Sequence, residues 1–226
     1  MEDAAQRPAR SLRRQQFEAV HKWSSTAAAV VALAISLYNF AALQRQPEID
    51  MALPHLFRLE KLGNDVRFYV QPTVSARVKS ENVEVIRDAR LRLALTGGSS
   101  ADAPVFYWRE SVTWYFNPDT GTVDNHWGSD PAPFIVSQDQ AQQPSFAFRA
   151  GHWMYRAGRY EGSLELLRSG NRAPLTKKFC LVISDAAVHE LENPQPPEQT
   201  IRFFRNDLPK FASYGSSADC YRRDTD

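Results

Sequence analysis

A group of oxygen-bearing side chains follows a proline-containing turn in the middle of the chain. Because Ca²⁺ takes roughly six to eight oxygen ligands, an exposed loop of this kind can supply several of them. The spacing matches no EF-hand pattern, however, and no two histidines have the spacing of a local zinc motif. We therefore predict neither a metal centre nor a cofactor. The residues concerned are Asp119, Asp124, Asn125 and Asp130, and the histidines are His21, His55, His126, His152 and His189.

The turn itself contains a short motif with a catalytic counterpart. Residues 119–122 (DTGT) resemble the D-T-G-[ST] signature of aspartic proteases, in which two such loops bring two carboxylates together. Here the motif occurs once and follows Asn-Pro instead of apolar strand residues, which favours a plain turn. The chain also has no G-x-S-x-G elbow, and the sequence predicts that the protein is not an enzyme. An envelope hydrolase that uses Asp119 or His126 remains an alternative.

Two short stretches interleave aromatic and polar side chains. They are residues 125–130 (NHWGSD) and residues 152–155 (HWMY). Exposed aromatic side chains are typical of protein-binding hot spots, and they also stack on sugars. We predict Trp127, Trp153 and Tyr155 as partner-binding residues. The alternative is that Trp127 and Trp153 cover the ends of the core as ordinary buried aromatics.

The chain has two cysteines, Cys180 and Cys220. In an oxidising compartment they can form a disulfide, which would close a loop of about 40 residues and contribute roughly 4 kcal/mol in the chain-entropy model. We predict this disulfide, with two free thiols as the alternative.

An uncharged segment, residues 23–43 (WSSTAAAVVALAISLYNFAAL), indicates a membrane span. At ~1.5 Å per residue it forms a helix of about 31 Å, enough to cross the hydrocarbon core of a bilayer. Two alternatives are a cleaved signal peptide, for which residues 32–34 (ALA) offer a cleavage match, and a buried helix of a soluble protein.

Basic residues before the span predict its orientation. Residues 1–22 contain Arg7, Arg10, Arg13, Arg14 and Lys22, whereas residues 44–57 contain one basic residue. Because positive charge next to a span is retained in the cytoplasm, we expect a cell-membrane protein with a cytoplasmic N-terminus and an extracytoplasmic C-terminal domain.

Small residues recur at four-residue intervals within the span. They are Ser24, Ala28, Ala32 and Ser36, which share one face of a helix and allow close approach of a second helix. We predict helix packing at this face, either with a membrane or envelope protein or within a homo-oligomer. The alternative is that alanine and serine are simply common in this segment.

The charge balance excludes one class of partner. The chain has 27 basic and 26 acidic residues, for a net charge of +1. Residues 1–22 by themselves have a net charge of +2. Residues 44–226 therefore have a net charge of −1, which gives no electrostatic footprint for nucleic acid. We divide the chain into a cytoplasmic leader (1–22), the span (23–43), a stalk (44–55), a β domain (56–184) and a Pro-rich tail packed on it (185–226).

The β domain follows from period-2 alternation of apolar residues. The pattern is clear at residues 66–70, 83–95 and 105–116, and residues 160–168 and 175–183 are typical of a hairpin. In the third stretch the even positions predict one apolar face, which consists of Phe106, Trp108, Val112, Trp114 and Phe116. Short strands at regular spacing with turn signals predict an antiparallel β-sandwich.

Residues 158–160 (GRY) resemble the tyrosine corner of immunoglobulin-like domains. The resemblance covers residues 151–183, and it implies that the Tyr160 hydroxyl bonds back to the preceding backbone. The antibody cysteine two residues after the tyrosine is absent, because Gly162 stands there. A fold of this kind carries no activity by itself. We therefore expect a single-pass membrane-anchored binding or assembly protein, an accessory subunit or scaffold of a cell-envelope complex, with an envelope carbohydrate-binding module as the alternative.

Overall fold

The computed structural model describes residues 7–44, 46–77, 82–98, 103–119, 121–151, 153, 155–193, 201–207 and 220–223. Its helices are α1 Arg7–Leu43 and α2 Asp185–Glu192. Its strands are β1 Ile49–Ala52, β2 Leu56–Leu62, β3 Asp65–Val70, β4 Thr73–Ala76, β5 Glu84–Leu95, β6 Val105–Asn117, β7 Thr122–Ser129, β8 Phe134–Val136, β9 Phe146–Gly151, β10 Gly158–Arg168, β11 Leu175–Ile183 and β12 Ile201–Arg205.

Helix α1 contains a segment, His21–Leu43, that is long and apolar enough to cross a membrane. The mean hydropathy of this segment reaches 1.9, and none of it is buried against other parts of the chain. The hydroxyls near its start bond to the preceding helical turn, since that of Ser24 donates to the carbonyl of His21 at 3.0 Å and that of Thr26 to the carbonyl of Lys22 at 2.9 Å. Polar groups paired in this way are tolerated in hydrocarbon.

The strands are all antiparallel, and most of them belong to one ten-stranded sheet. Its order is β11-β10-β5-β6-β9-β3-β2-β12, with β7 also paired to β6 and β8 to β5, while β1 and β4 form a separate pair. The mainly β, antiparallel architecture is therefore as predicted. An immunoglobulin-like sandwich has two packed sheets, and the structure does not confirm that finer arrangement.

The ten-stranded sheet curls until its two edges approach each other. Phe57 in β2 and Phe179 in β11 lie near opposite ends of the strand order, yet their ring centroids are 4.9 Å apart. Residues 220–222 lie between the edges: Tyr221 exchanges backbone hydrogen bonds with β11, and Arg222 exchanges two with Arg205 of β12. The sheet is thereby close to a barrel.

The sulfur atoms of Cys180 and Cys220 lie at bonding distance, as the predicted disulfide requires. Cys180 alternates in β11 with Phe179 and Leu181, which are buried, so the cysteine leaves the opposite face of the strand. The disulfide therefore fastens residues 220–222 along the edge of β11.

The core fills the inside of the curled sheet. Strand β10 illustrates the period-2 origin of this core, because Tyr160, Gly162, Leu164 and Leu166 are buried while residues 161, 163 and 165 point outward. At the start of β10 the Tyr160 hydroxyl donates to the carbonyl of Arg156 at 2.8 Å and accepts from its amide at 2.9 Å. This is the local contact that the tyrosine-corner resemblance implies.

The prediction that one apolar face runs along the whole of β6 is wrong. The sequence placed Phe106, Trp108, Val112, Trp114 and Phe116 on a single face, but the pairing of β6 with β9 shifts between Trp108 and Glu110. This β-bulge adds one residue to β6, so even-numbered side chains point to the core before the bulge and to the outer face after it. Phe106 and Trp108 face the core, whereas Val112 and Trp114 pack on the outside with Tyr69 and Ala147.

The predicted stalk at residues 44–55 also needs correction. Residues 49–52 form strand β1, which pairs with β4, and Ile49 and Met51 are buried in the main core. The alternation of Ile49, Asp50 and Met51 is too short to stand out between two prolines. The β unit therefore begins near residue 47.

Candidate partner-binding surface

The outside of the sheet carries an aromatic cluster that we call the outer patch. One end of the patch, which we call the inner end, is largely buried. There Tyr69 and Trp114 pack edge to face, with ring centroids 5.1 Å apart. The guanidinium of Arg58 lies 4.2 Å from the centre of the Trp114 ring and 5.7 Å from that of Phe203. The patch consists of Arg58, Tyr69, Val112, Trp114, Phe116, Trp127 and Phe203.

Strand register places Trp127 on the same face as this cluster. Trp127 is directly opposite Val112, and Phe116 is opposite Val123, so these residues share the outer face of the β6–β7 hairpin. Trp127 is 61% exposed and Phe116 is 63% exposed. The outer end of the patch thus presents two large aromatic side chains to solvent.

Buried polar contacts hold the inner end of the patch in place. The Tyr69 hydroxyl donates to the carboxylate of Glu60, which is itself 8% exposed. Burial and the neighbouring Glu60 charge raise the pKa of Tyr69 well above its ordinary value, so the hydroxyl stays a donor. Burial lowers the pKa of Arg58, whose cation lies over the Trp114 ring.

The structure separates the three residues predicted to bind a partner. Trp127 is exposed in the outer patch, but Tyr155 is 6% exposed and belongs to the core. Trp153 is partly buried and packs edge to face on Phe106 and Tyr160, at 5.2 and 5.9 Å between centroids. The prediction is therefore wrong for Tyr155, and Trp153 takes the core role that was its alternative, because both follow β9 into the end of the curled sheet.

Sequence reasoning missed the inner end of the outer patch. Arg58, Tyr69 and Trp114 come from three strands, and each stands in an alternating pattern that assigns it no special role. No local signal identifies them, because the bulge in β6 and the strand order together bring them to one face.

The predicted helix-packing residues share one side of α1, as their four-residue spacing implies. Ser24, Ala28, Ala32 and Ser36 all lie in α1 and are exposed along one side of it. Packing at this face remains a prediction.

The four oxygen-bearing residues do not form one loop: Asp119 lies in the β6–β7 turn, Asp124 and Asn125 lie in β7, and Asp130 follows β7. The side-chain oxygen of Asn117 accepts from the amide of Asp119 at 3.0 Å, and its carbonyl accepts from the amide of Gly121, which has a φ of +67°. Thr120 and His152 lie outside the described residues. Within the described ranges, no three His, Cys, Asp or Glu side chains come close enough together to hold a metal ion.

A cleft of about 330 Å³ opens beside the inner side of the β6–β7 hairpin. Phe134 supplies partly exposed aromatic surface, Trp108 is only 6% exposed at the base, and the polar lining comes from serine hydroxyls and glutamine amides. The polar residues are Ser111, Ser129, Gln142 and Gln143. This combination of rings and neutral hydrogen-bonding groups suits a neutral polar ligand.

Comparison with known proteins gives little further guidance. No protein-family model matches the chain, and no curated protein matches it. Among solved structures, a family 123 glycoside hydrolase from Clostridium perfringens, studied for glycolipid glycan hydrolysis, is similar with a TM-score of 0.31 and 11% identity. The match covers 60% of this chain and 27% of that enzyme, and at this TM-score it supports no argument about function.

Proposed function

We propose that this chain is a single-pass membrane-anchored binding or assembly protein, an accessory subunit or scaffold of a cell-envelope complex. The observation that carries the proposal is the exposure of Trp127 and Phe116 at the outer end of the outer patch. Exposed Trp is costly to leave in water and is enriched in binding hot spots. A patch with a fixed inner end also loses little conformational entropy when a partner covers it.

The apolar segment His21–Leu43 supports the membrane anchor. The basic leader favours a cytoplasmic N-terminus, and a disulfide between Cys180 and Cys220 favours an oxidising compartment for the β unit. These two features agree on a cell-membrane protein whose C-terminal domain is extracytoplasmic. A membrane-impermeant thiol reagent added to intact cells should label the cysteines only after an impermeant reductant is added. Labelling without reductant would contradict the disulfide, and labelling that requires lysis of the reduced cells would contradict this topology.

The function is tested by purifying the full chain in mild detergent through a C-terminal tag and identifying what co-purifies. We expect a stoichiometric envelope or membrane protein that is lost with Trp127→Ala. The matched control is Ile135→Ala, because Ile135 is 55% exposed but lies in β8, outside the outer patch. A clean monomer, or a partner retained equally by both variants, would refute the proposal.

A second place for a partner, including another copy of the chain, is the face of α1 that consists of Ser24, Ala28, Ala32 and Ser36. Replacing Ala28 and Ala32 with Leu blocks close approach of helices without lowering hydropathy. If a homo-oligomer forms through the span, cross-linking in membranes should fall in this variant and persist in Trp127→Ala.

The cleft beside Trp108 favours a carbohydrate-binding module as the second candidate. Its aromatic and amide lining suits stacking and hydrogen bonding to a neutral sugar. The full chain in detergent should then sediment with cell-wall polymer and lose this property with Gln142→Ala and Gln143→Ala. Failure of the unaltered protein to sediment would eliminate this candidate.

The immunoglobulin-like resemblance is retained as a proposal for residues 151–183 alone. The hydrogen bonds between Tyr160 and Arg156 support it, and it adds no activity to the function proposed here.

A further inference from the structure

A cavity of about 200 Å³ lies on the outer surface of the sheet, where β6, β9 and β3 run side by side. Guanidinium groups dominate its lining: Arg109 comes from β6, Arg149 from β9 and Arg67 from β3, and Glu110 is the one acidic residue among them. Three positive charges and one negative charge leave a formal lining charge of +2. The site therefore favours an anion.

Two of these arginines lie directly opposite each other on adjacent strands. Arg67 and Arg149 are partners in the register of β3 and β9, and like charges in that position destabilise a sheet unless something neutralises them. Glu110 lies 3.2 Å from the guanidinium of Arg67, and Asp65 pairs with Arg149. Arg67 and Arg149 thus each have an acidic partner, and Glu60 adds a negative charge near Arg67, so Arg109 is the guanidinium of this lining that is still to be balanced.

Arg109 owes its position to the β-bulge in β6. The pairing with β9 shifts between Trp108 and Glu110, so Arg109 is the extra residue. Its side chain is exposed, and in the part of the chain that the structure describes it forms no ion pair. Bulges re-aim side chains and are over-represented next to functional sites.

We propose that this cavity binds one oxyanionic group, a phosphate or a carboxylate, through Arg109 with Arg67 and Arg149 beside it. The planar guanidinium presents paired N–H donors that match the oxygens of such groups. A bound anion balances the charge of Arg109 and adds to the neutralisation of Arg67 and Arg149 by Glu110 and Asp65. The site goes beyond the proposed function, since neither the anchor nor the outer patch assigns a ligand to it.

The two sources of an oxyanion differ in what surrounds it. Tyr107 is the register partner of Arg149 on β6 and is 49% exposed, so it shares the outer face of the sheet with Arg149, and we expect its ring to contact the body of a sugar acid. Inorganic phosphate has no such body. A sugar acid should therefore bind more weakly in Tyr107→Ala, whereas binding of phosphate should not change.

The experiment is a calorimetric titration of the full chain in neutral detergent at constant ionic strength, with sodium phosphate in one arm and glucuronate in the other. We expect saturable binding of at least one ligand, weakened about ten-fold or more in Arg109→Gln because a charge-assisted hydrogen bond is lost. Glu110→Gln should bind more tightly, since Glu110 competes with the anion for Arg67.

Arg92→Gln is the matched control, because Arg92 is a surface arginine paired with Glu165 at 3.1 Å and does not line the cavity. It should leave binding unchanged. No saturable binding of either ligand by the unaltered protein, or equal losses in Arg109→Gln and Arg92→Gln, would overturn the proposal. Trp127→Ala should bind the anion normally, so failure of this site and failure of the proposed function are distinguishable.

Discussion

Tyr221 stacks face to face on Phe57, with ring centroids 3.7 Å apart and ring planes within 10° of parallel. Phe57 lies in β2, near the start of the β unit, and Tyr221 lies close to the end of the chain. Tyr221 is only 2% exposed, and its hydroxyl donates to the carbonyl of Pro54. Residues 220–222 are therefore part of the buried interior and not an appendage on its surface.

Replacing this ring should destabilise the whole β unit. Tyr221→Ala leaves a cavity against Phe57 and should lower the free energy of unfolding by about 3–5 kcal/mol. Tyr221→Phe keeps the stacking and loses one hydrogen bond, so it should cost about 1 kcal/mol. Urea unfolding of the full chain in detergent, followed by tryptophan fluorescence, measures both values. Phe203→Ala, at a 38% exposed position, is the control and should cost less than Tyr221→Ala. Equal losses in Tyr221→Ala and Phe203→Ala would contradict a core role for Tyr221.

Reduction of the Cys180–Cys220 disulfide should also destabilise the β unit. The cysteines are 40 residues apart, and opening a loop of that length frees the unfolded chain, which lowers the free energy of unfolding by about 4 kcal/mol in the chain-entropy model. Urea unfolding with and without reductant gives the difference. The double variant Cys180→Ser with Cys220→Ser should be insensitive to reductant, and sensitivity in that variant would show that the reductant acts elsewhere.

Alkaline pH should unfold the β unit. Burial raises the pKa of the hydroxyls of Tyr160 and Tyr221 above the ordinary value, and for Tyr69 the Glu60 charge adds to the same effect. The folded state therefore retains protons that the unfolded state releases. Stability that is fully present below about pH 10, the unfolded tyrosine pKa, should decrease as the pH rises above it.

The measurement is the free energy of unfolding as a function of pH between neutral and strongly alkaline solution. Tyr221→Phe is less stable at neutral pH but should lose less of its stability above pH 10 than the unaltered protein, since one titrating group is gone. A curve with the same slope in both proteins would refute the contribution of Tyr221.

Glu84 should show coupled effects with its two arginine partners. Its carboxylate is fully buried, and one oxygen accepts hydrogen bonds from Arg168 and Arg172, each at 2.6 Å. If one arginine is removed, the other still pairs with Glu84. If both are removed, the buried carboxylate has no cationic partner, which costs about 3–5 kcal/mol. The double variant Arg168→Ala with Arg172→Ala should therefore lose more stability than the sum of the single variants.

A double-mutant cycle in urea unfolding measures this coupling. Arg92→Ala, which breaks the exposed pair with Glu165, is the control and should cost no more than about 1 kcal/mol. Additive losses for Arg168 and Arg172 would mean that water reaches the Glu84 carboxylate.

Strand β6 shows how far local reasoning reaches. Its apolar residues are apparent from composition, and residues 105–116 were expected to form an aromatic strand. Their faces were predicted from unbroken alternation, which the bulge at Arg109 interrupts. No pattern within the strand marks the bulge, because the shift is a property of the pairing with β9.

Trp153 and Tyr155 illustrate the same limit for the candidate site. In sequence they are equivalent to Trp127, as aromatics among polar neighbours, yet the fold buries Tyr155 and exposes Trp127. The difference arises because β7 extends the hairpin away from the core, whereas residues 153 and 155 lead back into it.

The apolar helix, the antiparallel β class, the cysteine pairing and the Tyr160 contact were all accessible from the order of residues, because each depends on hydropathy, alternation or spacing over a short stretch or on there being only two cysteines. The closing of the sheet by Tyr221, the outer patch around Trp114 and the cavity beside Arg109 were settled only by the three-dimensional arrangement. Each of these joins residues from three or more strands, and their meeting depends on strand order and on a single bulge, neither of which leaves a local signature.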